Sequence, residues 1–180
     1  MSHQAVIAVA VAPIYKKPVF SSEMITQALM WENVKILKTE NNWNFISLQD
    51  GYNGWIHTFY LYNCELDIDE TICITNRIAP VYYETDKINS LVVLLSFGTN
   101  IPSTNKNKDY CKIYLPDGKS AFIIPQDKVF NKSRDSIIKL AKTLIGTPYL
   151  WGGRSSFGYD CSGFVQMIFQ TVGIFIHRDT

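Results

Sequence analysis

The chain has 180 residues, 47% apolar and 18% charged, enough globular material for one large domain or two to three small ones, and disorder is excluded. Its 17 basic and 16 acidic side chains leave a net charge of +1, so no broad positive field is present to hold a nucleic-acid backbone. Four cysteines (Cys64, Cys73, Cys111, Cys161) and three histidines are too sparse for a disulfide scaffold, and no cysteine pair has CxxC spacing. No cofactor or metal is expected, and reduced thiols are.

Residues 5–12 (AVIAVAVA) could be the apolar centre of a secretion signal. Met1 to Gln4 carry no Lys or Arg, however, and the run passes straight into Pro13-Ile14-Tyr15, so a first β-strand is the better reading. No later stretch approaches the roughly 20 apolar residues that span a bilayer. No membrane-spanning segment is expected.

An internal repeat follows. Ala12-Pro13-Ile14-Tyr15 aligns with Ala79-Pro80-Val81-Tyr82, Glu32-Asn33-Val34 with Thr99-Asn100-Ile101, Trp43 with Tyr110, and Trp55-Ile56 with Phe122-Ile123, at one offset and without a gap. Nine positions are identical in this alignment (Ala12, Pro13, Tyr15, Asn33, Ile46, Leu48, Asp50, Gly51 and Ile56), where roughly three would arise by chance. Each copy alternates apolar with polar residues, is rich in β-branched and aromatic side chains, and sets Asp-Gly between two such runs, a hairpin signal. Two small all-β barrels are predicted. Each copy resembles the bacterial SH3-like domain, whose opening Ala-Pro-x-Tyr and closing Gly-Trp match Ala12–Tyr15 and Gly54-Trp55; the second copy, with Ala121-Phe122, matches less well.

From Asn131 the period changes to that of a helix. Ile137, Leu140, Ala141 and Leu144 share a face, Ser133 is available as N-cap, and Gly146 and Pro148 end the segment. A glycine-interrupted loop leads to Asp160-Cys161-Ser162-Gly163 and a second helix with Phe164, Val165, Ile168, Phe169 and Val172 on one side, stopping at Gly173. Cys161 therefore opens a helix, where amide N–H groups and the positive end of the dipole stabilise an anion and can hold the oxyanion of a tetrahedral intermediate. A cysteine that fills space under the helix is the competing reading, but small Ser162 and Gly163 keep the first turn open, and an aspartate before the cysteine suits a dry core poorly.

The stretch Gly146-Thr147-Pro148-Tyr149-Leu150-Trp151-Gly152-Gly153-Arg154, with Asp160-Cys161-Ser162-Gly163-Phe164-Val165-Gln166, resembles the signature of NlpC-family papain-like cysteine peptidases. Two SH3-like modules ahead of it are similar to the type that cleaves between γ-D-glutamate and the diamino acid of cell-wall peptides. The implied architecture is multidomain: SH3-like barrels over 1–63 and 64–130, then the N-terminal part of an α+β papain-like peptidase domain over 131–180. The resemblance makes Cys161 the nucleophile, places Tyr149 near the oxyanion site, and gives Asp160 and Ser162 to the substrate's L-alanyl amine and glutamate carboxylate. Trp151 would line the pocket, or simply pack. Thr180 would help seat the carboxylate. Glu32 and Tyr52, by position in the first module, would close over the free amino terminus; a solvated charge and a surface aromatic are equally good readings of those two.

A thiol peptidase needs a base. The resemblance places that histidine on a strand beyond Thr180, so the sequence is expected to be part of a longer protein. His177 leaves the helix far from Cys161, while His3 and His57 belong to the first module as ordinary solvent-facing residues. The main expectation is a cytoplasmic cysteine peptidase that hydrolyses the γ-D-glutamyl-diamino acid bond of peptidoglycan-derived peptides. The alternatives are an exported enzyme acting on intact wall and a wall-binding or scaffolding protein with an inactive peptidase domain.

Overall fold

A computed structural model describes residues 3–63, 70–85, 90–106, 108–126 and 130–179. The first seven strands are β1 (His3–Ile7), β2 (Val11–Tyr15), β3 (Met24–Leu29), β4 (Asn33–Glu40), β5 (Trp43–Ser47), β6 (Asn53–His57) and β7 (Leu61–Tyr62). They form one sheet in the order β3-β2-β6-β5-β4-β1-β7. The next six are β8 (Thr71–Cys73), β9 (Ile78–Tyr82), β10 (Leu91–Ser96), β11 (Asn100–Lys106), β12 (Cys111–Tyr114) and β13 (Ser120–Ile123). Their order is β10-β9-β13-β12-β11-β8, which repeats the first sheet's order strand for strand from β3 to β1.

The repeat read in the sequence is therefore a repeat of topology, and of the core as well. Ala12, Ile14, Ala28, Val34, Ile46 and Ile56 are buried in the first sheet, and their counterparts Ala79, Val81, Leu95, Ile101, Ile113 and Ile123 are buried in the second. Period-two alternation sends these side chains to one face of each sheet; next to Ala28 and Leu95 the other face is covered as well, so Leu29 and Ser96 are also buried. The Asp-Gly turns also match. Gly51 and Gly118 have φ of 82° and 81°, and in each case the glycine N–H bonds back to a leucine carbonyl, Leu48 and Leu115. These are three-residue loops that end on a left-handed glycine rather than two-residue turns. The run 5–12 is not one strand: Ala8 to Ala10 turn between β1, which pairs with β4 and β7, and β2, which pairs with β3 and β6.

One position breaks the likeness. Trp31 has φ of 68° and its counterpart Gly98 has φ of 82°, a conformation that disfavours any residue with a Cβ. Trp31 holds it because its indole is buried in the core of the second sheet, with Nε1 donating to the Tyr114 carbonyl at 2.8 Å. The strain is compensated by an anchor between the two sheets.

Two helices follow, α1 (Arg134–Thr143) and α2 (Cys161–Thr171), with the short ribbon β14 (Arg154–Ser155) and β15 (Gly158–Tyr159) between them. Ser133 caps α1 as expected, its side chain accepting from Ser136 N. Leu140, Leu144, Met167, Ile168 and Val172 pack against Leu29 of the first sheet and Phe97 of the second, so the helices rest on both. The buried face of α2 is rotated from the expected one. Ile168 and Val172 are buried as expected, but Gly163, Gln166 and Met167 are buried too, whereas Val165 is exposed, and Gln166 enters a buried polar network with the first sheet.

Candidate active site

Cys161 is the first residue of α2 and its free thiol is exposed. Asp160 precedes it in an extended conformation and caps the helix, Oδ1 accepting from Gly163 N at 2.7 Å. After α2 the chain doubles back, and Arg178 Nη2 donates to Asp160 Oδ2 at 2.5 Å. The guanidinium supplies the charge opposite Asp160, so the thiol does not stand beside a lone carboxylate. Ser162 Oγ lies 3.2 Å from Asp160 Oδ1 and 3.3 Å from Asp179 Oδ1; with one proton it can donate to only one of them at a time.

Cys161, Asp160, Ser162, Arg178 and Asp179 line a cavity of about 350 Å³ together with Tyr149, Trp151 and Gly152 of the loop, and with Glu23, Ile25 and Tyr52 of the first sheet. Trp151 is 64% exposed, and its Nε1 donates to Glu23 Oε1 at 3.1 Å, while Lys16 Nζ meets Glu23 Oε2 at 3.1 Å. The bond from Lys16, then that from Trp151, hold the Glu23 carboxyl below its ordinary range. Burial, then the hydrogen bond and charge of Asp179, push the Tyr52 phenol up to about 12. Gly152 lets the loop approach the first sheet: at φ of 70° a Cβ there would lie 2.6 Å from the Met24 carbonyl oxygen.

A second hollow of about 260 Å³ also reaches Cys161. Leu144, Thr147, Pro148 and Phe164 form its walls, and Tyr149, Asp160 and Cys161 are common to both hollows. Cys161 thus borders both hollows, so its thiol can be reached from either of them.

Of the residues expected at the site, Cys161, Tyr149, Asp160, Ser162, Trp151 and Tyr52 come together here. Glu32 does not. Both its oxygens accept from Arg154 Nη1, at 2.8 and 2.9 Å, in the buried joint between the first sheet and the helical segment. The acid that the first sheet does bring to the cavity is Glu23. Thr180 lies outside the described residues. His177 is exposed, with Nδ1 3.2 Å from the Asp50 carbonyl, and it does not line the cavity. His57 is not a plain solvent-facing residue: it is half-buried among Phe20, Trp43 and Phe59, and its Nδ1 accepts from Phe59 N.

Two family models match this chain: residues 146–180 match the NlpC/P60 family and residues 14–59 the bacterial dipeptidyl-peptidase SH3 domain. The C-terminal segment is of the NlpC/P60 family. A gamma-D-glutamyl-L-lysine dipeptidyl-peptidase from Bacillus cereus is 30% identical over 182 residues, covering 89% of this chain and 54% of that protein. A protein of the same name from Bacillus subtilis is 30% identical over 167 residues, covering 86% of this chain and 55% of that one. The chain spans about half the length of these relatives. The crystal structure of an NlpC/P60 family protein from Bacillus cereus superposes with a TM-score of 0.85 at 24% identity, covering 98% of this chain and 74% of that one. The fold is shared along almost all of this chain.

Proposed function

We propose that this chain forms the nucleophile side of a cysteine peptidase that hydrolyses the bond between γ-D-glutamate and a diamino acid in peptidoglycan-derived peptides. In this reading residues 1–63 and 64–130 are two SH3-like modules, and 131–180 are the first part of a papain-like domain. One observation carries it. The exposed thiol at the start of α2 shares its cavity with an acid and a tyrosine from the first sheet.

Cys161 Sγ attacks the scissile carbonyl, giving a tetrahedral oxyanion near the Tyr149 hydroxyl and the first turn of α2. The C–N bond then breaks, the diamino acid leaves with a proton, and water hydrolyses the thioester. Glu23 and Asp160 offset the desolvation of a substrate ammonium, so the enzyme reads a free L-alanyl amino terminus. Ser162, with Thr180, serves the glutamate carboxylate. No imidazole is among the described residues that line the cavity; the base is the family's histidine on a strand beyond Thr180. The proposed setting is the cytoplasm, where freed wall peptides are recycled.

The test is hydrolysis of L-Ala-γ-D-Glu-L-Lys by the full-length protein and by Cys161→Ala. Turnover should fall by at least about 10⁴-fold in the variant. Undiminished turnover would overturn the assignment.

A further inference from the structure

The two copies of the Asp-Gly turn give an internal control. In the second sheet Asp117 Oδ1 accepts from Lys119 N at 3.1 Å, and its other oxygen is paired with the exposed ammonium of the same Lys119 at 2.8 Å. That carboxylate serves only its own turn. In the first sheet Asp50 Oδ1 accepts from Tyr52 N at 3.0 Å in the same way. Its Oδ2 accepts instead from Gln166 Nε2 of α2 at 2.8 Å, and its carbonyl faces His177 Nδ1 at 3.2 Å.

The Gln166 amide is not free to turn. Arg154 Nε, which can only donate, meets Oε1 at 2.9 Å, and this directs Nε2 at Asp50 and at the Ile176 carbonyl, 3.3 Å away. Gln166 is 2% exposed. A buried amide with both ends committed to charged or backbone partners is a fixed strut. It joins the helix that begins with Cys161 to the turn whose next residue but one, Tyr52, forms a wall of the cavity.

We propose that Asp50 is a positioning residue. With Gln166 it sets the distance between Tyr52 on the first sheet and the nucleophile helix, and so holds the substrate cavity at its working width. This deepens the peptidase reading, and for its kinetic part it rests on that reading. The turn itself does not need the second oxygen, as Asp117 shows.

The test compares Asp50→Asn with Asp117→Asn in the full-length protein. Asparagine keeps one acceptor for the turn but sets an N–H₂ against either Gln166 Nε2 or Tyr52 N. Pairing Asp50→Asn with Gln166→Glu restores the contact between positions 50 and 166 with donor and acceptor exchanged, since a carboxylate at position 166 still accepts from Arg154, at the cost of the longer bond to the Ile176 carbonyl. Two readouts are taken: KM and kcat for L-Ala-γ-D-Glu-L-Lys, and the pH titration of the Tyr52 ring by NMR of labelled tyrosine in the ligand-free protein, assigned with Tyr52→Phe.

Asp50→Asn should raise KM about tenfold, with kcat changed less than about threefold, and should move the Tyr52 titration down from about 12. Asp117→Asn should do neither, and the paired exchange should recover most of both effects. Equal behaviour of Asp50→Asn and Asp117→Asn, or no recovery in the pair, would overturn the proposal. If the wild type does not turn over this peptide, the peptidase reading fails and the titration alone decides for or against the strut.

Discussion

Two arginines, each 4% exposed, lie where the C-terminal segment meets the first sheet, and they are held in opposite ways. Arg154 has a partner at every nitrogen: Nε goes to Gln166, Nη1 to Glu32 and to the Gln27 carbonyl, and Nη2 to Gln170. Arg178 makes its bond to Asp160 through Nη2, while its Nη1 is buried without a partner among the described residues. The Arg154 cluster is buried and bonded across the two parts, and it acts as a joint. The open cluster keeps the carboxylates of Asp160 and Asp179 and the hydroxyls of Ser162 and Tyr52 at a cavity beside an exposed thiol. Charge alone does not mark a site. What separates these two is whether each guanidinium nitrogen has a partner inside the protein.

The joint is where substitution should cost most. Glu32→Ala leaves the Arg154 guanidinium buried without a carboxylate, and denaturant unfolding should show a loss of about 3–5 kcal/mol. Replacing both partners by apolar residues, Glu32→Leu with Arg154→Met, should recover most of it. A Glu32→Ala loss below about 1 kcal/mol would mean that the pair is solvated in solution and the contrast between the clusters is not real.

Trp31 sharpens the contrast from another side, since it trades backbone strain for an anchor. Trp31→Ala should destabilise by about 3 kcal/mol through the lost burial. Trp31→Gly should be the more stable of the two by about 1 kcal/mol, reversing the usual order, because only glycine is at ease at this positive φ. Thermal unfolding of the two variants decides the sign. Alanine above glycine would show that the turn relaxes once the indole is gone.

The repeat, the Asp-Gly turns, the cap of α1 and the place of Cys161 at the head of a helix were all legible in the sequence. Each is set by residues within a few positions of one another. The first-sheet acid was not. Glu23 and Glu32 flank the same strand, and which of them faces the cavity depends on Trp151 and Arg154, more than 100 residues further on. Gln166 was missed for a related reason. A glutamine on an amphipathic helix reads as a surface residue, and it becomes a buried one only through Arg154 and Asp50. The signal that could have found it was the misfit of Val165, which faces outward although the apolar stripe predicts it inside.

The open cluster has a milder test. Tyr52 is favoured in its neutral form by burial and by Asp179, so its contribution to stability is fully present below its unfolded pKa of about 10. That contribution is lost as pH rises through about 12. Asp179→Asn should bring the Tyr52 titration down toward the ordinary value without moving the unfolding midpoint at neutral pH by more than a small amount. An unchanged titration would show that Asp179 does not reach the phenol.

The central claim is that the Cys161 sulfur stands accessible in a cavity built for a peptide. Cys111 is buried, and Cys73 is half-buried with a thiol that burial raises to about 11, so neither should compete with it at neutral pH. Timed alkylation with iodoacetamide, mapped by mass spectrometry in the presence and absence of L-Ala-γ-D-Glu-L-Lys, tests this directly. The account predicts that Cys161 is modified well before Cys73 and Cys111, and that the peptide slows this modification. Labelling of Cys161 no faster than of Cys111, or a rate that saturating peptide leaves unchanged, would contradict it.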